Sequence, residues 1–208
     1  MKRHLVICLF LLSVIGLTAQ EHVAVDLGLP SGLKWASCNI GASVPDSYGD
    51  FFAWGETSPR KVFTNKNSKT HGMSFNKLLE SGVIDQNGNL TPEYDAAHVM
   101  WGGDWRLPTK EDIKELLDPK NCTCTWSTEY SVKGCVIRSK TNGNTIFIPV
   151  SGSRYDSSIF SEGYRGFCWS ASVNPNSTRA YTLSIGSGNH NLASDYRSYG
   201  MNIRPVTK

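Results

Sequence analysis

Apolar residues in this chain come in short alternating pieces, each cut off by Gly, Pro, Asn or Ser, and that patterning leaves room for little but many short strands. Val23, Val25, Leu27 and Leu29 alternate up to Pro30, and Leu33, Trp35 and Cys38 resume the pattern after a Ser31-Gly32 turn. Phe51-Phe52-Ala53-Trp54 is a dense run suited to a buried strand, whereas Thr57 to Met73 is polar and reads as an exposed loop. From Cys122 onward the period is two. Cys122, Cys124 and Trp126 alternate with Thr123, Thr125 and Ser127. Val132, Val136-Ile137 and Ile146-Phe147-Ile148 flank Asn142-Gly143, a hairpin turn, and Ala180 to Ile185 and Met201, Ile203 and Val206 continue the pattern.

Helical signals are confined to the middle. Phe75, Leu78 and Leu79 fit a turn and a half of helix, and Asn87-Gly88 between Ile84 and Leu90 predicts a small hairpin. Thr91-Pro92-Glu93 opens a helix in which Tyr94, Ala97, His98 and Trp101 share a face, and Gly102-Gly103 ends it. Thr109 caps a second helix, with Asp112 at the capping-box position and Ile113, Leu116 and Leu117 as its apolar stripe, stopped by Pro119. The expected class is α+β: two short helices and long loops on a mixed or antiparallel sheet. Trp35, Phe52, Trp54, Trp101, Leu107, Ile113, Leu116, Leu117, Trp126, Ile146, Ile148, Trp169, Leu183 and Ile203 are the expected core.

The first 20 residues stand apart. Lys2 and Arg3 precede an apolar run from Leu5 to Leu17, and Thr18-Ala19-Gln20 supplies small residues for cleavage, the layout of a secretory signal peptide. The run is short for a membrane span, and Cys8 lies inside it rather than after it, so no lipid anchor is expected. The division is thus residues 1–20 as signal peptide and 21–208 as a single domain, exported to the periplasm, the cell surface or the medium. Loss of Lys2 and Arg3 lowers the net charge from +3 to about +1, and no basic run remains to attract nucleic acid or anionic lipid. No second apolar stretch is long enough for a membrane helix.

Five cysteines remain, Cys38, Cys122, Cys124, Cys135 and Cys168, an odd number that leaves at least one thiol unpaired. Cys122 and Cys124 point to one strand face, but no second Cys/His pair follows at zinc spacing. Asp85-Gln86-Asn87-Gly88-Asn89 starts like a calcium loop and then fails, with Leu90 at the sixth position and Ala96 at the twelfth, which favours a hairpin turn. Gly166-Phe167-Cys168-Trp169 echoes a cysteine-protease nucleophile, at the wrong end of the chain for its histidine and asparagine. No Gly-x-Ser-x-Gly elbow or phosphate-binding glycine motif is present, and His71, His98 and His190 are widely spread. No catalytic residue, metal or cofactor is expected.

Several strings together carry a resemblance: Val25-Asp26-Leu27-Gly28-Leu29-Pro30-Ser31-Gly32-Leu33-Lys34-Trp35-Ala36, Tyr48-Gly49-Asp50-Phe51-Phe52-Ala53-Trp54-Gly55-Glu56, Asp95-Ala96-Ala97, Trp101-Gly102-Gly103-Asp104-Trp105-Arg106-Leu107-Pro108-Thr109, Phe167-Cys168-Trp169-Ser170 and Tyr199-Gly200-Met201-Asn202-Ile203-Arg204-Pro205-Val206. In this order they resemble the Fibrobacter succinogenes major paralogous domain family of gut Bacteroidetes, over nearly the whole mature chain. That family is similar to the C-type lectin-like fold in the branch of formylglycine-generating enzymes. The resemblance implies that both chain ends meet in one sheet, with two helices packed on it and long loops at one end. It brings no assigned activity. The oxidase branch holds copper with a cysteine pair near the C-terminus, and Gly200 to Lys208 contains none. The calcium-dependent sugar strings of lectins are absent too: Asn174-Pro175-Asn176 has the proline without the acid.

Val173 to Tyr199 is dense in Asn, Ser, Tyr, Arg, Asp, His and Gly. That composition resembles the variable segments of ligand-binding proteins diversified by retroelements on lectin-like folds; an ordinary set of polar loops is the plainer reading. The expected ligand-binding residues are Asn174, Asn176, Arg179, Asn189, His190, Asn191, Asp195, Tyr196, Arg197 and Tyr199, with Tyr196 and Arg197 as anchors. The expected function is an exported, non-enzymatic binding or adhesion domain for a protein or glycan. The alternatives are an oxidase-like enzyme on the formylglycine-generating scaffold and a structural domain of a surface assembly.

Overall fold

The computed structural model describes residues 22–208, and the expected signal peptide lies outside the described residues. The class is α+β, with strands predominantly antiparallel. Strands β1 (Ala24–Asp26) and β2 (Lys34–Ala36) come first. Helix α1 (Phe75–Glu80), a 3-10 turn (Pro92–Tyr94), α2 (Ala96–Trp101) and α3 (Lys110–Leu117) follow. Then come β3 (Cys122–Ser127), β4 (Gly134–Ser139), β5 (Thr145–Pro149), β6 (Ser153–Tyr155) and β7 (Ser158–Phe160). The last strands are β8 (Arg165–Val173), β9 (Arg179–Gly186), β10 (His190–Tyr196) and β11 (Val206–Thr207). Among the described residues no helix is long and apolar enough to cross a membrane.

Four small sheets replace one large one: β1-β2-β11, β10-β9-β8, β3-β4-β5 and β6-β7. The first joins the two ends of the described chain, because β2 lies between β1 and β11 and pairs antiparallel with both. Asn142-Gly143 turns β4 into β5 as the dipeptide predicts.

The α3 start is a full capping box. Thr109 Oγ1 accepts from the Asp112 N–H at 3.2 Å and Asp112 Oδ2 accepts from the Thr109 N–H at 2.8 Å. The helix expected from Thr91 is instead broken in two. Asp95 takes extended backbone angles, and its Oδ1 accepts from Ala97 and His98 N–H, so it caps a fresh helix behind the 3-10 turn. α1 stands where Phe75, Leu78 and Leu79 predict a turn and a half of helix, and the two further expected helices become a 3-10 turn, α2 and α3.

Two large apolar clusters and a small one of Phe51, Ala53 and Phe63 fill the interior of the described residues. One packs Ile113 and Leu116 of α3 against Cys135, Ile137, Ile146, Ile148, Leu183 and Trp35. The other gathers Phe52, Trp54, Leu78, Leu107, Trp169, Met201 and Ile203. Of the expected core, Trp101, Leu117 and Trp126 are only half-buried. Trp101 lies at the surface, its ring stacked on His22 at 3.7 Å with Trp105 edge-on at 5.0 Å.

Phe51 to Trp54 makes only a single ladder bridge, Phe52 with Met201, although every one of its side chains is buried. The 57–73 loop is less exposed than its polarity suggests, since Phe63 and Thr70 are fully buried within it. Phe63 bridges to Asp156 and lies where a Cβ on Gly200 would fall, 2.5 Å from its ring, so Gly200 is required for that close approach.

Candidate functional site

The β9–β10 hairpin decides how the ten expected residues are distributed. Its register pairs Tyr196 with Arg179 at one end and His190 with Ile185 at the other. Six strand steps separate those ends, roughly 20 Å at about 3.3 Å per residue. The candidates therefore form two groups rather than one surface.

At the far end, Asn189, His190 and Asn191 are exposed around the turn. Asn189 Oδ1 accepts from Arg165 Nη2 at 3.0 Å, and its carbonyl accepts from the Gly186 N–H at 2.8 Å, so part of its polarity is already used in closing the hairpin.

The near end holds Asn174, Asn176, Arg179, Asp195, Tyr196 and Tyr199. Asn174 Oδ1 accepts from the Asn176 N–H at 3.3 Å, which shapes the turn between β8 and β9. The Arg179 guanidinium carbon lies 4.5 Å from the centroid of the Tyr196 ring, and its Nη1 donates to Ser194 O at 3.2 Å. Tyr196 and Tyr199 have ring centroids 5.6 Å apart, and Tyr199 and Tyr155 lie 5.1 Å apart. Tyr196 is 38% exposed, and Tyr155 and Tyr199 are half-buried.

Electrostatics tie this group together. Burial raises the Asp195 carboxyl above its ordinary range, opposed by the Tyr196 N–H it accepts from and by the Arg179 charge. Burial also raises the Tyr199 phenol, helped by the Asp195 charge. The result is three phenolic rings, one guanidinium and one carboxylate on the end of a three-stranded sheet. Tyr155 escaped the sequence reading because it belongs to β6. It reaches the group only through the Arg154–Gly200 bridge, which no local pattern announces.

Arg197 is not a surface anchor. It is fully buried, its Nη2 donates to Met73 O, and its guanidinium lies 5.8 Å from the Trp54 ring centroid. It lies one residue beyond β10, in a turn closed by the Tyr199 N–H donating to Tyr196 O at 2.9 Å, and its own carbonyl accepts from the Trp54 N–H at 3.0 Å.

The remaining chemical echoes resolve into structure. Asp85 Oδ1 accepts from Asn87 and Asn89 N–H at 2.9 Å each, a hairpin turn held by its own carboxylate. Among the described residues no three His, Cys, Asp or Glu side chains are grouped to hold a metal ion. All five cysteines among the described residues are free thiols. Cys168 is buried at the middle of β8, and burial pushes its thiol up to about 11, the opposite of what a nucleophile requires. Cys135 Sγ donates to Gly186 O at 3.9 Å, and the neighbouring Cys124 and Cys135 thiols shift each other apart, Cys124 down and Cys135 up.

The chain matches no family model, no curated protein and no solved structure.

Proposed function

We propose that this protein is an exported, non-enzymatic binding domain on a C-type lectin-like frame, related to the Fibrobacter succinogenes major paralogous domain family. Its contact surface is the group of Tyr155, Tyr196, Tyr199, Arg179 and Asp195. The observation that carries this reading is the tyrosine–arginine constellation itself, with Arg179 stacked at 4.5 Å on an exposed Tyr196. Tyr and Arg give large contact area at small conformational cost, and both are enriched where interfaces concentrate their energy. Asn174 and Asn176 on the adjoining turn add hydrogen-bonding capacity at its rim.

The test is binding of the purified mature chain to arrayed glycans and to purified outer-surface proteins. For any ligand found, Tyr196→Ala with Tyr199→Ala weakens binding about 30-fold or more, as loss of a central aromatic pair does. Asn189→Ala at the distant turn leaves it unchanged. Full binding by the double tyrosine variant sinks the assignment of the surface. Thiol-dependent oxygen uptake by copper-loaded protein sinks the non-enzymatic reading.

A further inference from the structure

A second feature lies outside the tyrosine group. The Asp85–Asn89 turn adds to the end of β8, where Leu90 N–H donates to Ala171 O at 2.9 Å and Val173 N–H donates to Gly88 O at 2.9 Å. The 103–109 segment flanks the same strand end, with the Ala171 N–H donating to Pro108 O at 2.8 Å. Between turn and segment a cleft of about 380 Å³ opens, within the range of small-molecule sites.

Its apolar lining comes from Leu90, Leu107 and Ala171, and Trp105 lends an aromatic wall. Its polar groups are only partly used. Asp85 commits Oδ1 to the turn, and its Oδ2 accepts nothing among the described residues. Asn89 accepts from Ser172 Oγ at 2.6 Å through Oδ1, which leaves its Nδ2 to donate. The Asp104 carboxylate, also in the lining, is exposed and makes no salt bridge or side-chain hydrogen bond among the described residues. Arg106 is already neutralised, with Nη1 2.7 Å from Asp112 Oδ2 and a second bond to Leu107 O. Asp95, at the lining too, is held by the backbone N–H groups of Ala97, His98 and Leu107.

We propose that this cleft binds an organic primary ammonium carried on an apolar or ring-shaped body. Asp85, Asp95 and Asp104 outnumber the two basic side chains of the lining, the compensated Arg106 and His98, and disfavour anions. The carboxylates are too dispersed to hold a metal ion. Asp85 is half-buried and Asp104 exposed, and a neutral polyol offers them donors alone, whereas an ammonium supplies both charge and donors. The Trp105 ring adds cation–π attraction, and Leu90, Leu107 and Ala171 receive the carbon body. A lysine side chain and an amino sugar both carry this chemistry. The site shares no residue with the tyrosine group, so either can fail without the other.

Calorimetric titration of the mature chain with acetyl-lysine methylamide and with glucosamine tests the proposal, each against its uncharged partner, acetyl-norleucine methylamide and glucose. At least one amine binds tenfold or more tightly than its partner, and the amine that does so names the source. Asp104→Asn weakens that binding about two- to fivefold, the worth of one exposed ion pair. So does Asp85→Asn, which keeps the oxygen that holds the turn. Tyr196→Ala does not. The proposal is overturned by equal binding of charged and uncharged partners, by no binding of either amine up to about 10 mM, or by unchanged affinity in both carboxylate variants.

Discussion

Trp54 and Trp169 exchange their indole hydrogen bonds: Trp54 Nε1 donates to Ser170 O at 2.9 Å and Trp169 Nε1 donates to Phe52 O at 2.9 Å. Each ring is fully buried, and each polar tip is satisfied by the backbone beside the other. The pair joins the 51–54 segment to β8 without a continuous ladder between them. Removing the Trp169 ring therefore opens a large cavity and breaks a buried hydrogen bond, although Phe52 O keeps the Met201 N–H at 3.0 Å. Trp169→Ala is expected to cost about 3–5 kcal/mol in urea unfolding. Trp105→Ala, at a half-buried ring, costs clearly less. Equal losses would contradict this account of the core.

Two buried arginines differ in how their charge is held, and so in what their removal does. Arg204 Nε donates to Asn39 Oδ1 at 2.8 Å, Nη1 to Ala36 O and Ser37 O at 3.1 and 2.9 Å, and Nη2 to Phe147 O at 2.9 Å. Arg204→Met orphans these acceptors and is expected to cost about 3 kcal/mol or more. Arg197 has Nε and Nη1 without partners among the described residues, and burial lowers its guanidinium to about 10. Arg197→Met removes an uncompensated charge at similar volume, so its stability stays within about 1 kcal/mol of the wild type or rises. Chemical denaturation of the two variants side by side gives the answer, and a larger loss for Arg197→Met than for Arg204→Met refutes it.

Asp95 holds α2 and the 103–109 segment together, because Oδ1 accepts from Ala97 and His98 and Oδ2 accepts from Leu107 at 2.8 Å. Asn in its place turns an amide donor toward one of these N–H groups, so Asp95→Asn is expected to lose about 1–3 kcal/mol. Burial raises this carboxyl above its ordinary 3.8, beyond what its three N–H donors and Arg106 pull down. The native state thus holds the proton more tightly than the unfolded chain. This group's contribution is full below 3.8 and is lost as pH rises through the native value. Wild type should therefore gain on Asp95→Asn as pH falls toward that value, read from unfolding midpoints across an acid series.

Thiol reactivity should follow burial. Cys38 and Cys124 are half-buried, whereas Cys122, Cys135 and Cys168 are buried. In native protein at mildly alkaline pH, a thiol-specific reagent modifies the first two well ahead of Cys168, whose thiol is pushed to about 11. Mass mapping of the modified peptides gives the order, and early labelling of Cys168 contradicts the placement of β8.

Sequence alone determined what depends on neighbours a few residues apart. The Thr109 capping box, the Asn142-Gly143 hairpin and the Asp85 turn all form where the pattern places them, because their hydrogen bonds close within a few residues. Period two likewise marked Leu183, Ile146 and Ile148 as core. Tertiary structure decided the rest. The break at Asp95 follows from its bond to Leu107, twelve residues on, which no helix signal contains. Phe63 is buried because Gly200 leaves room for its ring. The candidate residues divided because strand register, not composition, sets which end of a hairpin a side chain occupies. Tyr155 joined Tyr196 and Tyr199 for the same reason: the Arg154–Gly200 bridge between distant segments carried it there.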